Sequence, residues 1–166
     1  LQIGDVTPAR IDEVMVDIQA GLARRTYPAD DFRIGNFWAW HIKKDRKESM
    51  HEARCKLFAR AEVIPPYIGL DHLLDAADAQ LVRDNFRNFL MADVTGSGEI
   101  KSVPPELVQR LIDEVSSSGD LDDLDREIER YKAFEHAGLT DLALRVFDDP
   151  MDSLQIIKER VIPHFN

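Results

Sequence analysis

Two side chains stand where their chemistry is conspicuous. Arg145 lies inside the apolar run LALRVF at 142–147. A guanidinium among apolar neighbours needs an anionic or hydrogen-bonding partner, because a buried unpaired charge is costly. It either holds a phosphate or carboxylate of a ligand or closes an ion pair with Asp5, Asp148 or Asp149. His41 ends the aromatic stretch FWAWHI at 37–42. Imidazole titrates near neutral pH, so His41 can donate a hydrogen bond or carry a proton, unless a backbone carbonyl simply satisfies it. Trp38 and Trp40 share one face of an extended segment by the two-residue period, where they wall a pocket or fill a core.

Other constellations are weaker. The loop DVTGSGEI at 93–100 has oxygen side chains at alternate positions, Gly98 sixth and Ile100 eighth. An EF-hand loop needs a bidentate carboxylate at position twelve, and here that residue is Pro104, so the stretch reads as a mobile loop. His51 and Cys55 lie four apart on one helix face, but two ligands make no metal site, and the thiol reads as packed and inert. The acids Asp120, Asp122, Asp123, Asp125 and Glu127 sit where a helix begins, and negative charge is favoured there by the dipole. No GxSxG, Walker, HExxH or GxGxxG pattern occurs.

The elements that must position these residues follow from periodicity. Residues 1–3 read as a strand end, broken by Gly4-Asp5. Thr7-Pro8 then caps a helix over about 8–25 with the stripe Ile11, Val14, Met15, Ile18 and Leu22. A turn-rich connector at 27–31 leads to a buried strand over 32–42, rich in aromatic and β-branched residues. A helix follows over about 46–62, ended by Pro65-Pro66, and 65–105 reads as helical. A short helix carries Leu107, Val108, Leu111, Ile112 and Val115, and 116–119 reads as a loop. Asp120 caps a helix closed by Gly138, 139–147 is a strand, and Asp148-Asp149-Pro150 opens a terminal helix. Three strands each followed by a helix, with no hairpin turn, imply parallel pairing and the α/β class.

Composition bounds the partners. The chain has 166 residues, with 31 acidic against 21 basic side chains, a formal charge of −10 with neutral histidines. That balance argues against nucleic acid, which needs clustered Lys and Arg. The single cysteine, Cys55, makes no internal disulfide, so a cytoplasmic location is the default. No apolar run reaches the roughly 18–20 residues that span a bilayer.

The segment GLTDLALRVFDDPMDSLQIIKERVIPHF at 138–165 resembles the last strand and terminal helix of the luciferase-like monooxygenase family, flavin- or F420-dependent (β/α)8-barrel oxidoreductases. Residues 117–138 are similar to the helix before that strand, 37–60 to the preceding strand and helix, and 1–24 to the strand end and helix before those. The resemblance implies a partial (β/α)8 TIM barrel, about its last three β/α units, with a helical insertion at 63–116 and a last helix-strand-helix unit at 117–166. A closed barrel takes about 250 residues. A chain that begins at Leu1 rather than Met is then expected to be a piece of a longer protein, or a half-barrel completed by a partner chain.

In such barrels chemistry sits at the C-terminal ends of strands. The resemblance therefore implies that Gly4, Asp5 and Arg145 hold the cofactor, FMN or coenzyme F420. Trp40 and Phe147 would contact a small-molecule substrate, and His41 would serve catalysis beside the reduced ring. No metal is implied. The alternative is a non-catalytic α/β half-barrel that pairs with itself or with another chain through its open strand edges.

Overall fold

The computed structural model describes residues 1–26, 32–67 and 70–165, with the side chains of 60–67 left aside. The connector expected at 27–31 lies outside the described residues. The chain forms a parallel sheet with helices against it and a second, helical core beyond its C-terminal end.

β1 (Gln2–Gly4) leads into α1 (Pro8–Leu22), with Thr7 as N-cap and Pro8 in the first turn, where its missing N–H costs nothing. β2 (Gly35–Trp40) is shorter than the run 32–42 suggested and is the centre of the sheet. α2 (Arg46–Tyr67) continues through Pro65-Pro66 instead of stopping before them. The pair falls in the last turn of the helix. α3 (Ala76–Asp84), α4 (Phe86–Val94) and α5 (Pro105–Val115) fill the region expected to be helical.

Residues 116–119, expected as a loop, instead begin with a short strand, β3 (Ser116–Ser117). α6 (Leu124–His136) follows a turn capped by Asp120, which accepts from Asp122 N–H and forms a capping box with Asp123. β4 (Asp141–Arg145) and α7 (Pro150–Ile156) complete the chain, α7 running on into a π turn at Ile157–Val161.

All pairings are parallel. β4 runs along one edge of β2, from Gly35↔Asp141 to Ala39↔Arg145. The other edge is shared: β1 pairs with its first half, Gln2↔Gly35 to Gly4↔Phe37, and β3 with its end, Ala39↔Ser116 and Trp40↔Ser117. Since side chains alternate across a strand, β2 divides its residues between two environments. Trp38 and Trp40 are fully buried in a core with Ile11 and Met15 of α1 and Leu124, Tyr131 and Phe134 of α6. Phe37, on the opposite face, is 50% exposed. That face, which a closed barrel would turn inward, is open at Phe37 and Arg145.

α2 belongs to the other core. Its Met50, Ala53 and Leu57 pack with Val82, Phe89, Leu107, Leu111 and Ile112 of α3, α4 and α5. This helical unit is anchored over the strand ends. Ser49 Oγ accepts from Gly119 N–H at 2.8 Å, and Arg46 donates to Asp120 at 2.9 Å and to Asp123 at 2.5 Å. Among the described residues no helix is long and apolar enough to cross a membrane.

Candidate functional site at the strand ends

The first turns of α2 bring a carboxylate to the end of β2. Glu52, 3% exposed, places Oε1 2.8 Å from His41 Nδ1. Its Oε2 accepts from Lys43 Nζ at 2.9 Å and from the Asp148 N–H at 2.9 Å. Lys43 also donates to the Asp148 carbonyl at 2.8 Å. One side chain thus ties the ends of β2 and β4 to α2. Burial alone would raise the Glu52 carboxyl pKa, but hydrogen bonds from His41 and Lys43 outweigh it, and the group is held below its ordinary value.

His41 is itself shut off, 2% exposed, and stacks on Phe147 with ring centroids 4.9 Å apart and planes 15° from parallel. The backbone carbonyl suggested as its partner is replaced by a buried carboxylate. Arg145 meets the same ring, its guanidinium 5.0 Å from the Phe147 centroid. Arg145, His41 and Phe147 therefore form one column at the C-terminal ends of β2 and β4.

Here the apolar setting of Arg145 misled. The strand alternates, so Leu142 and Leu144 face the helix-covered core while Arg145 is exposed on the open face. It forms no ion pair with Asp5, Asp148 or Asp149 among the described residues; it is a solvated cation on an aromatic ring.

Gly4 and Asp5 lie across β2 from this column. Gly4 pairs with Phe37, and a Cβ placed on Gly4 would meet nothing within 4 Å. Asp5 is buried with a left-handed φ of 54°, its N–H donating to the Phe37 carbonyl at 2.9 Å. Next to it Val6 exchanges two hydrogen bonds with the Asn36 side chain. Trp40 is fully buried on the helix-facing side, so it stands apart from the column.

A second buried network joins β3 to α6. Ser117 Oγ accepts from Trp38 Nε1 at 2.9 Å, donates to Glu127 Oε2 at 2.6 Å and lies 2.6 Å from Tyr131 Oη. Arg126 and Arg130 both pair with Glu127, and Arg130 also reaches the Ser116 and Asp113 carbonyls. Ser117, Glu127 and Tyr131 are enclosed and hold the fold rather than face a ligand.

The Gly-Ser-Gly loop is tied to α2 rather than loose. Arg54 Nε donates to the Gly98 carbonyl at 3.2 Å, and Lys56 pairs with Asp93 at 3.0 Å. Gly98 takes φ +62° against His51, where a Cβ would come 3.0 Å from His51 Nδ1. Cys55 is buried, with Sγ 3.8 Å from His51 Nε2, and burial pushes its thiol pKa up. Among the described residues no group of three His, Cys, Asp or Glu is placed to hold a metal ion.

Glu52 is the residue that sequence reasoning missed. Its only signal is the polar stripe Ser49, Glu52 and Lys56 at helical spacing beside the apolar positions Met50, Ala53 and Leu57. Nothing in that stripe says that it faces a histidine eleven positions earlier.

No protein-family model matches the chain, and no curated protein matches it by sequence. Among solved structures it is similar to the coenzyme F420 dependent tetrahydromethanopterin reductase from Methanopyrus kandleri, with a TM-score of 0.71 and 18% sequence identity. The match covers 99% of this chain and 45% of that one, so the chain spans less than half the length of that relative. The shared property is the fold: an α/β chain with a parallel sheet that matches part of a larger barrel.

Proposed function

We propose that this chain forms the C-terminal part of an F420- or flavin-dependent oxidoreductase and supplies one wall of its cofactor and substrate mouth. The observation that carries the reading is the column Arg145, Phe147 and His41, standing at the strand ends where (β/α) folds place their chemistry. The solved neighbour, described as coenzyme F420 dependent, makes the deazaflavin the first choice, with FMN as the related alternative.

The residues present fit such a group. Arg145 offers an exposed guanidinium suited to a phosphate or carboxylate. Gly4 leaves open space for close approach to the backbone. Ser118, next to β3, and Thr7, next to β1, keep buried hydroxyls without hydrogen-bond partners among the described residues. When bound, the cofactor would supply hydride transfer, and the protein would supply position and electrostatics. Arg145 would bind and orient the anionic part, Phe147 would present an aromatic surface, and His41 would hold or move a proton. Gly4 and Asp5 would border the cofactor from the opposite edge of β2. Trp40, enclosed in the core, is given no ligand contact.

Much of a barrel mouth comes from strands outside this chain, so the isolated 166-residue chain is expected to be inactive and to bind F420 or FMN more weakly than micromolar. The test is a fluorescence titration of both cofactors into the isolated chain and into the full-length source protein. Binding by the full-length protein, weakened at least tenfold by Arg145→Ala, is expected, since a hydrogen bond to a charged group contributes about 1.5–3 kcal/mol. Micromolar binding by the isolated chain, or full-length binding untouched by R145A, contradicts the reading.

A second reading is favoured by one observation, the half-exposed Phe37 beside open strand edges. It makes the chain a non-catalytic half-barrel that associates with itself or a partner. Light scattering separates it: a well-behaved monomer of 19.0 kDa would count against self-association.

A further inference from the structure

We propose that Glu52 is a positioning residue for His41, holding the imidazole proton on Nδ1 and making Nε2 the basic nitrogen of the ring. The inference deepens the proposed function and rests on its assignment of a proton-handling role to His41.

The argument is a count of donors and acceptors. Glu52 Oε2 already accepts from two groups that can only donate, the Lys43 ammonium and the Asp148 N–H. Those donors keep the carboxyl ionised, so Oε1 has no proton to offer His41. At 2.8 Å the bond must then run from Nδ1–H to Oε1. The Phe147 ring, nearly parallel to the imidazole, resists rotation about the Cβ–Cγ bond. With proton and ring plane both fixed, the neutral ring carries its lone pair on Nε2.

The same count says what Glu52→Gln must do. The amide has one oxygen, wanted by two fixed donors on one side and one on the other. Turning the oxygen toward Lys43 and Asp148 leaves the NH2 facing His41. Nδ1 then has to accept, and the proton moves to Nε2.

The experiment is a long-range 1H–15N correlation spectrum of the imidazole side chains of the 166-residue chain without cofactor, recorded over a pH series and read where one ring nitrogen is unprotonated. His41→Gln assigns the signals. In the wild type His41 is expected to show a protonated Nδ1 and an unprotonated Nε2, with the pattern reversed in E52Q. A wild-type His41 protonated on Nε2, or an E52Q spectrum with the pattern unchanged, overturns the proposal. Should E52Q not fold, the wild-type spectrum decides alone. The spectrum needs no cofactor, so failure of F420 binding leaves this result standing, and a wrong tautomer leaves the binding titration to be judged separately.

Discussion

Trp38 Nε1 donates to Ser117 Oγ at 2.9 Å, joining the central strand to β3 through two fully buried side chains. Ser117 also serves Glu127 and Tyr131, so one hydroxyl satisfies three buried groups. Ser117→Ala leaves the indole N–H without that acceptor and is expected to destabilise the chain by about 1–3 kcal/mol. Urea unfolding checks this; a midpoint equal to that of the wild type would mean that the network is dispensable.

Tyr131 gives an optical test of the same network. Burial, the largest influence, pushes its phenol pKa far up, reinforced by the Glu127 charge and only partly offset by the Ser117 hydrogen bond. The unfolded phenol titrates near pH 10, so the folded state gains relative stability below that pH and loses it as pH rises above. In an alkaline titration followed by tyrosinate absorbance, Tyr131→Phe should change only the amplitude that accompanies unfolding. A loss of amplitude before unfolding would place Tyr131 in contact with solvent.

Acid is expected to act at the other cluster. The Glu52 carboxyl, held below its ordinary value, contributes stability present above the unfolded range near pH 4.3 and lost as pH falls through the lower folded value. Glu52→Gln removes that part of the acid dependence. The wild type should therefore lose stability between neutrality and acid more steeply than E52Q, read from urea midpoints across pH. Parallel curves would show that the Glu52 carboxyl titrates alike in the folded and unfolded chain, against the lowered value.

Adjacent residues of β2 should respond unequally to truncation. Trp38→Ala empties a fully buried site and is expected to cost about 3–5 kcal/mol. Phe37→Ser alters a half-exposed ring on the open face and should cost about 1 kcal/mol or less. Thermal or urea unfolding of both variants tests the assignment of the two sheet faces. Comparable losses would mean that Phe37 is covered in solution, as association of the chain would cause.

Elements with strong periodicity were legible from the residues. Thr7-Pro8, the capping acids at 120–123 and the stripe of α5 all predict starts or buried faces that the fold contains. β3 was hidden because Ser116 and Ser117 carry no β signal; its pairing with Ala39 and Trp40 is set by tertiary contact. Arg145 was misjudged because apolar flanks in sequence do not mean burial when a strand covers only one face. The His41–Glu52 pair was hidden for a related reason: neither sequence spacing nor composition tells which way a polar stripe on α2 turns.

In the proposed function these residues wall a deazaflavin or flavin site in a larger barrel. Native mass spectrometry of the protein isolated from its source cells, with F420 or FMN added, reads polypeptide mass and bound cofactor together. The account predicts a polypeptide of at least about 250 residues carrying one of the two cofactors. A 19.0 kDa species that binds neither would contradict it.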